Sequence, residues 1–88
     1  MTAKEARIKA VWGSIPDIIR SKIQAMVEWG LLDTYLYKSV APEAFKNIDA
    51  TIAKLQLLGY TVECKIVDIE DDNAPLGITT DTKLTIKW

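Results

Sequence analysis

The sequence predicts an α+β domain in which helices cover one face of a three-stranded antiparallel sheet. Three observations carry that reading. Apolar residues recur in steps of three and four over residues 8–27 and 45–58, they alternate with polar residues over 32–36, 60–66 and 84–88, and Gly13, Pro16, Gly30 and Gly59 punctuate the chain between them.

Thr2-Ala-Lys-Glu5 has the form of a capping box, so a helix is expected to start at once. Ile8, Val11, Trp12, Ile15, Ile18, Ile19, Ile23, Met26 and Val27 then describe one apolar stripe, with Lys4, Arg7, Lys9, Asp17, Arg20, Lys22 and Glu28 opposite it. Pro16 lacks an N–H and its ring clashes with the preceding turn, which Gly13 also weakens. Ser14 and Asp17 repeat the capping pattern, and Pro16 would then fall in a first turn. The N-terminal helix is therefore kinked, with segments over about 3–12 and 15–29, and Gly30 ends it in the left-handed conformation. Over residues 31–38 the period changes to two, with Leu32, Thr34 and Leu36 on one side and Asp33, Tyr35 and Tyr37 on the other: a strand. Pro42 suits the first position of a second helix, carried by Phe45, Ile48, Ile52, Leu55 and Leu58 over about 42–58 and stopped by Gly59. Tyr60, Val62, Cys64 and Ile66 alternate with Thr61, Glu63 and Lys65, as Leu84, Ile86 and Trp88 do with Lys83, Thr85 and Lys87, giving two further strands.

The wet faces of these strands argue against a parallel sheet, which is normally covered on both sides. If the first two strands run parallel through their helical crossover, placing the third between them makes every neighbour antiparallel. The expected order is 1-3-2 with both helices on one face; adjacent order 1-2-3 is the alternative.

The 88 residues make one small domain, residues 1–88, with a single modest core. With 49% hydrophobic and 26% charged residues the composition is that of a folded protein. Eleven basic and twelve acidic side chains leave a net charge of −1, which gives no field to concentrate a polyanion or an anionic membrane. One cysteine, Cys64, forms no internal disulfide and suits a reducing compartment. No apolar run approaches the roughly 18–20 residues of a spanning helix, and no signal-type segment opens the chain, so synthesis in the cytoplasm without membrane partners is expected.

Catalysis most often needs a nucleophile held against a base, and the chain has no histidine. Cys64 is expected to face the core, where a thiol is inert. There is no glycine-rich phosphate loop; neither an enzyme nor a cofactor is expected. The stretch DIEDDNAPLG, residues 68–77, crowds Asp68, Glu70, Asp71, Asp72 and Asn73 together. Asp68, Glu70 and Asp72 match positions 1, 3 and 5 of a calcium loop, but Asn73 stands where glycine is required and Thr79 where a bidentate glutamate is, so a solvated hairpin loop is the better reading. Asp71 and Asp72 remain candidates for partner contact. The wet sheet face gathers Tyr35, Tyr37, Lys65, Lys83 and Lys87, in outline a stacking platform for single-stranded nucleic acid, yet cross-strand packing accounts for the tyrosines as well. Trp12 and Trp88 are expected in the core. Trp29, at a helix end, joins Tyr35 and Tyr37 as an interface candidate, and so aromatic-rich a small chain is a candidate for self-association.

The opening MTAKEARIKA, the strand TYLYKSVAPEAF, the passage IAKLQLLGYTVECKI and the closing LTIKW together resemble a family of small, mostly uncharacterised proteins of tailed bacteriophages. The likeness covers most of the chain. Its motifs are structural, and two features depart from the family pattern: the kink at Gly13–Pro16 and the long link DIEDDNAPLG. The resemblance implies a phage origin and work through contacts: a virion-associated structural or assembly accessory protein, made in the host cytoplasm, contacting other phage structural proteins or copies of itself. It equally allows a small inhibitor that binds a host defence protein or sequesters its signalling molecule.

Overall fold

The computed structural model describes residues 2–88. It contains helices α1 (Ala3–Gly13), α2 (Asp17–Glu28) and α3 (Ile48–Leu57), a 3-10 turn at Pro42–Phe45, and strands β1 (Asp33–Tyr37), β2 (Thr61–Glu70) and β3 (Ile78–Lys87). The strands form one antiparallel sheet in the order β1-β3-β2. An α+β fold with the split strand order is thus what the alternating pattern implied.

Local chemistry explains the boundaries. The Thr2 hydroxyl accepts from the Glu5 amide at 3.2 Å and caps α1. Gly30 and Gly59 have φ of 74° and 97°, and each closes the preceding helix with paired bonds: Gly30 to Val27 and Leu31 to Met26, Gly59 to Gln56 and Tyr60 to Leu55. Only glycine takes that conformation without strain, so these two residues set where helix gives way to strand.

The core gathers Ile15 from the link between α1 and α2, Ile19 and Ile23 from α2, Ala44 and Phe45 from the 3-10 turn, Leu55 from α3, Leu36 from β1, and Leu84 and Ile86 from β3. Leu84 and Ile86 lie on the central strand directly beside Leu36 and Thr34 of β1, so one sheet face carries the whole core. Thr34 interrupts it: the hydroxyl is buried without a hydrogen-bond partner. Thr34→Val keeps the shape, suits a strand and removes that unpaired group. It is expected to stabilise the fold by about 1 kcal/mol, read as a higher urea midpoint at unchanged slope.

Four expectations need correction. The apolar stripe of the first helix outruns the core: no residue of α1 is buried, and Ile8, Ile18 and Val27 are exposed. Ser14 does not cap α2, whose N-cap is Pro16; the Ser14 hydroxyl donates instead to the Val11 carbonyl, and Asp17 pairs with Arg20. The second helix is broken, because Lys46 is extended and Asn47 is left-handed with φ 51°, separating the 3-10 turn from α3. Lastly, the third strand begins at Ile78, well before Lys83, and β2 continues to Glu70.

That last difference changes the shape. Pairing of β1 with β3 ends at Tyr37 opposite Lys83, whereas β2 and β3 stay paired out to Glu70 opposite Ile78. A two-stranded arm therefore projects past the core, in a molecule measuring 56 × 28 × 18 Å.

Candidate interaction surfaces

Three surfaces follow from this frame. The first is the sheet face away from the helices. Strand alternation and register bring Tyr35, Tyr37, Lys65, Lys83 and Lys87 to this face. Tyr35 and Tyr37 meet edge to face with centroids 5.6 Å apart. The Lys83 ammonium stands 4.7 Å from the Tyr35 ring centre and 5.9 Å from that of Tyr37. The rings are thus engaged with each other and with the chain's own cation, which is stabilising at this range. A base stacking on Tyr35 would have to displace Lys83, so the cluster favours cross-strand packing over an open platform. Lys65 pairs with Glu63 at 3.2 Å on the same strand.

The second surface is the arm and its loop. Asp68, Ile69 and Glu70, which read as loop, belong to β2, and the connection spans only residues 71–77. Asp71 organises it: its amide donates to the Gly77 carbonyl at 2.9 Å, its carboxylate accepts from the Asn73 amide at 3.0 Å, and its carbonyl accepts from Ala74 at 3.0 Å. Gly77, at φ 70°, closes the turn. Asp71 is therefore used in folding the loop, while Asp72 is exposed. Among the described residues no three carboxylate or thiol groups converge to hold a metal ion, Asp68, Glu70 and Asp72 included.

At the root of the arm Ser39 binds Asp81. The Ser39 amide donates to Asp81 Oδ1 at 3.2 Å, its hydroxyl donates to Oδ2, and the Thr82 amide donates to Oδ1 at 2.8 Å. The Ser39 hydroxyl, above all, holds the Asp81 carboxyl below its ordinary value. A lowered folded-state value means this tether stabilises the fold above the unfolded-state value of about 3.9. The contribution is lost as pH falls through the lower folded value, so its window lies below about pH 4. Asp81→Asn is expected to flatten the acid limb of stability against pH over that window, and NMR titration of the Asp81 carboxyl would show the lowered midpoint directly.

The third surface surrounds the end of α2. Val27, Trp29, Leu31 and Leu32 are all exposed, Trp29 at 80% and Leu32 at 71%. Trp29 occupies the C-cap of α2, and its side chain stands largely in solvent. Leu32 is fixed by its carbonyl, which accepts from the Trp88 amide at 3.0 Å. The other two tryptophans, expected in the core, flank it instead, each half-buried and packed against it. Trp12 stacks on Tyr60 at 6.5 Å and Trp88 meets the same ring edge-on at 6.2 Å, and burial raises the Tyr60 phenol.

Cys64 is a correction. Its register opposite Leu84 puts it on the helix-bearing face, but on the edge strand, and it is exposed. Partial desolvation and the nearby Asp49 carboxylate still raise the thiol above its ordinary value, so it is a poor nucleophile at neutral pH. Sequence reasoning assigned the face and the edge position correctly and missed the lack of cover, since facing follows from alternation whereas cover depends on where the helices end.

No protein-family model matches this chain, and no curated protein or solved structure is similar enough to it to stand as a relative.

Proposed function

We propose that the protein is a non-enzymatic, virion-associated structural or assembly accessory subunit of a tailed bacteriophage, acting through protein–protein contacts. The observation that carries the contact role is the exposed apolar run Val27–Leu32 centred on Trp29. An isolated exposed leucine is ordinary, but four large apolar side chains within six residues, held on a helix end, favour a binding surface. Tryptophan is also the residue type most enriched among those that dominate interface energies. The phage assignment comes from the motif resemblance, and the lack of histidine agrees with a role without acid–base chemistry. Mass spectrometry of purified particles tests the reading: the chain is expected among virion proteins at stoichiometric abundance, and its absence from intact particles rejects the role.

A further inference from the structure

We infer that β2 is a self-pairing edge, through which two copies join their sheets about a two-fold axis at Cys64. The inference does not rest on the virion role.

The outer edge of β2 is built to pair. Its register with β3 is continuous from Thr61 to Glu70, with no bulge and no proline, so none of the usual distortions blunts it. Hydrogen bonding in an antiparallel pair alternates, and three bonds fix the phase here. Asp71 donates to Gly77 across the β2–β3 pair, whereas Lys38 donates to Thr82 and Trp88 to Leu32 across the β1–β3 pair. Odd-numbered residues of β2 therefore bond to β3. The N–H and C=O groups of Val62, Cys64, Ile66, Asp68 and Glu70 point outward, unpaired by strand.

The partner follows from the order of side chains along that edge. About a two-fold perpendicular to the sheet, residue i faces a residue of the same parity in the second copy, so the axis must fall on a residue. Centred on Glu63 or Lys65 it sets like charges opposite each other. Centred on Cys64 it places Glu63 against Lys65 of the second copy and Lys65 against Glu63. Val62 then meets Ile66, and Ile66 meets Val62. The two charge pairs fall at non-hydrogen-bonded positions, where side chains approach most closely, and the apolar pairs fall where outward amides and carbonyls are exchanged. Ile66, 73% exposed in the single chain, gains an apolar partner, and the Glu63–Lys65 pair within each of the two strands is exchanged, one for one, for a pair across the interface. The lysine that would repel a foreign strand is neutralised by this chain's own glutamate. A second copy is accordingly the occupant that fits, and the product is one six-stranded antiparallel sheet.

Sedimentation equilibrium of the whole chain is expected to show a concentration-dependent dimer. Glu63→Lys and Lys65→Glu each set like charges opposite one another twice per dimer and should weaken association about tenfold. Both sites are exposed, so circular dichroism should be unchanged. Mixing the two variants in equal amounts sets the two lysines of the Glu63→Lys chain against the two glutamates of the Lys65→Glu chain, and should restore dimer at wild-type strength. Diamide oxidation should link two wild-type chains through Cys64, each thiol giving up one hydrogen to the reagent, and should do so far less in either single variant. A wild-type chain that stays monomeric at hundreds of micromolar, or a dimer indifferent to both substitutions and to their mixing, overturns the inference.

Discussion

Replacing Leu84 by alanine is expected to destabilise the domain by about 3–4 kcal/mol, the cost of removing a fully enclosed leucine whose surroundings cannot close the gap. Leu84 is completely buried on β3, between Leu36 on one side and Cys64 on the other, beneath the helices. The central strand is the least able to shift, because its backbone is bonded to neighbours along both edges. A domain of this size carries on the order of 5–10 kcal/mol in total, so the loss is a large fraction of it. With a urea slope of about 1.3 kcal/mol/M, the midpoint should fall by roughly 2–3 M. Leu76→Ala is the matched control: the same atoms are removed from a loop side chain that is 89% exposed, and the midpoint should hardly move. A cost below about 1 kcal/mol for Leu84→Ala would show that the core is loosely packed and closes over the cavity.

The contrast between Leu84 and Leu76 also explains what could be read from the sequence. Alternation identified Leu84 and Ile86 as core-facing, and Gly30 and Gly59 marked the ends of α2 and α3, because these are local rules acting on a few residues. The split strand order followed from one more step, the wet face marked by Glu63, Lys65, Lys83 and Lys87. Apart from the Ser14 cap, what failed depended mainly on the reach of a distant element. Past Lys65 the strands keep going without a core beneath them, so hydrophobic alternation fades: Asp68 and Glu70 fall on the side that carries Val62 and Cys64, opposite Thr80 and Ile78 of β3, while Thr79, Asp81 and Thr82 pair with Ile69, Val67 and Ile66. Acidic and threonine-rich sequence there reads as loop. Pairing of backbones, aided by β-branched side chains at Ile66, Val67, Ile69, Ile78, Thr79 and Thr80, is enough to extend the ladder. The break at Asn47 was hidden for a similar reason. The apolar spacing continues through it, and only a left-handed backbone at one asparagine shows that two short helical pieces stand where one helix was expected.

Trp29→Ala is expected to leave folding untouched and to abolish most partner binding. The side chain is 80% exposed, and the bonds that close α2 run through the backbone of Gly30 and Leu31, so neither packing nor capping is lost. Thermal midpoint and circular dichroism should therefore match the wild type. Burying an indole removes about 150–250 Å² of surface from water, on the order of 4–6 kcal/mol of gross driving force before ordering costs. A central aromatic anchor of this kind typically costs about 2 kcal/mol or more when truncated, which is about thirtyfold in affinity. On the proposed virion role, the amount of the Trp29→Ala protein in purified particles relative to the major capsid component should drop by at least about tenfold while its level in the lysate is unchanged. Leu32→Ala, at the margin of the same run, should give a smaller decrease. The β2 edge lies elsewhere on the sheet, so Glu63→Lys should weaken self-association without reproducing the Trp29 defect in a monomer-level binding assay. If Trp29→Ala particles retain the protein at wild-type abundance, the exposed end of α2 is not the contact surface, and the arm with Asp72 and Leu76 at its tip becomes the next to test.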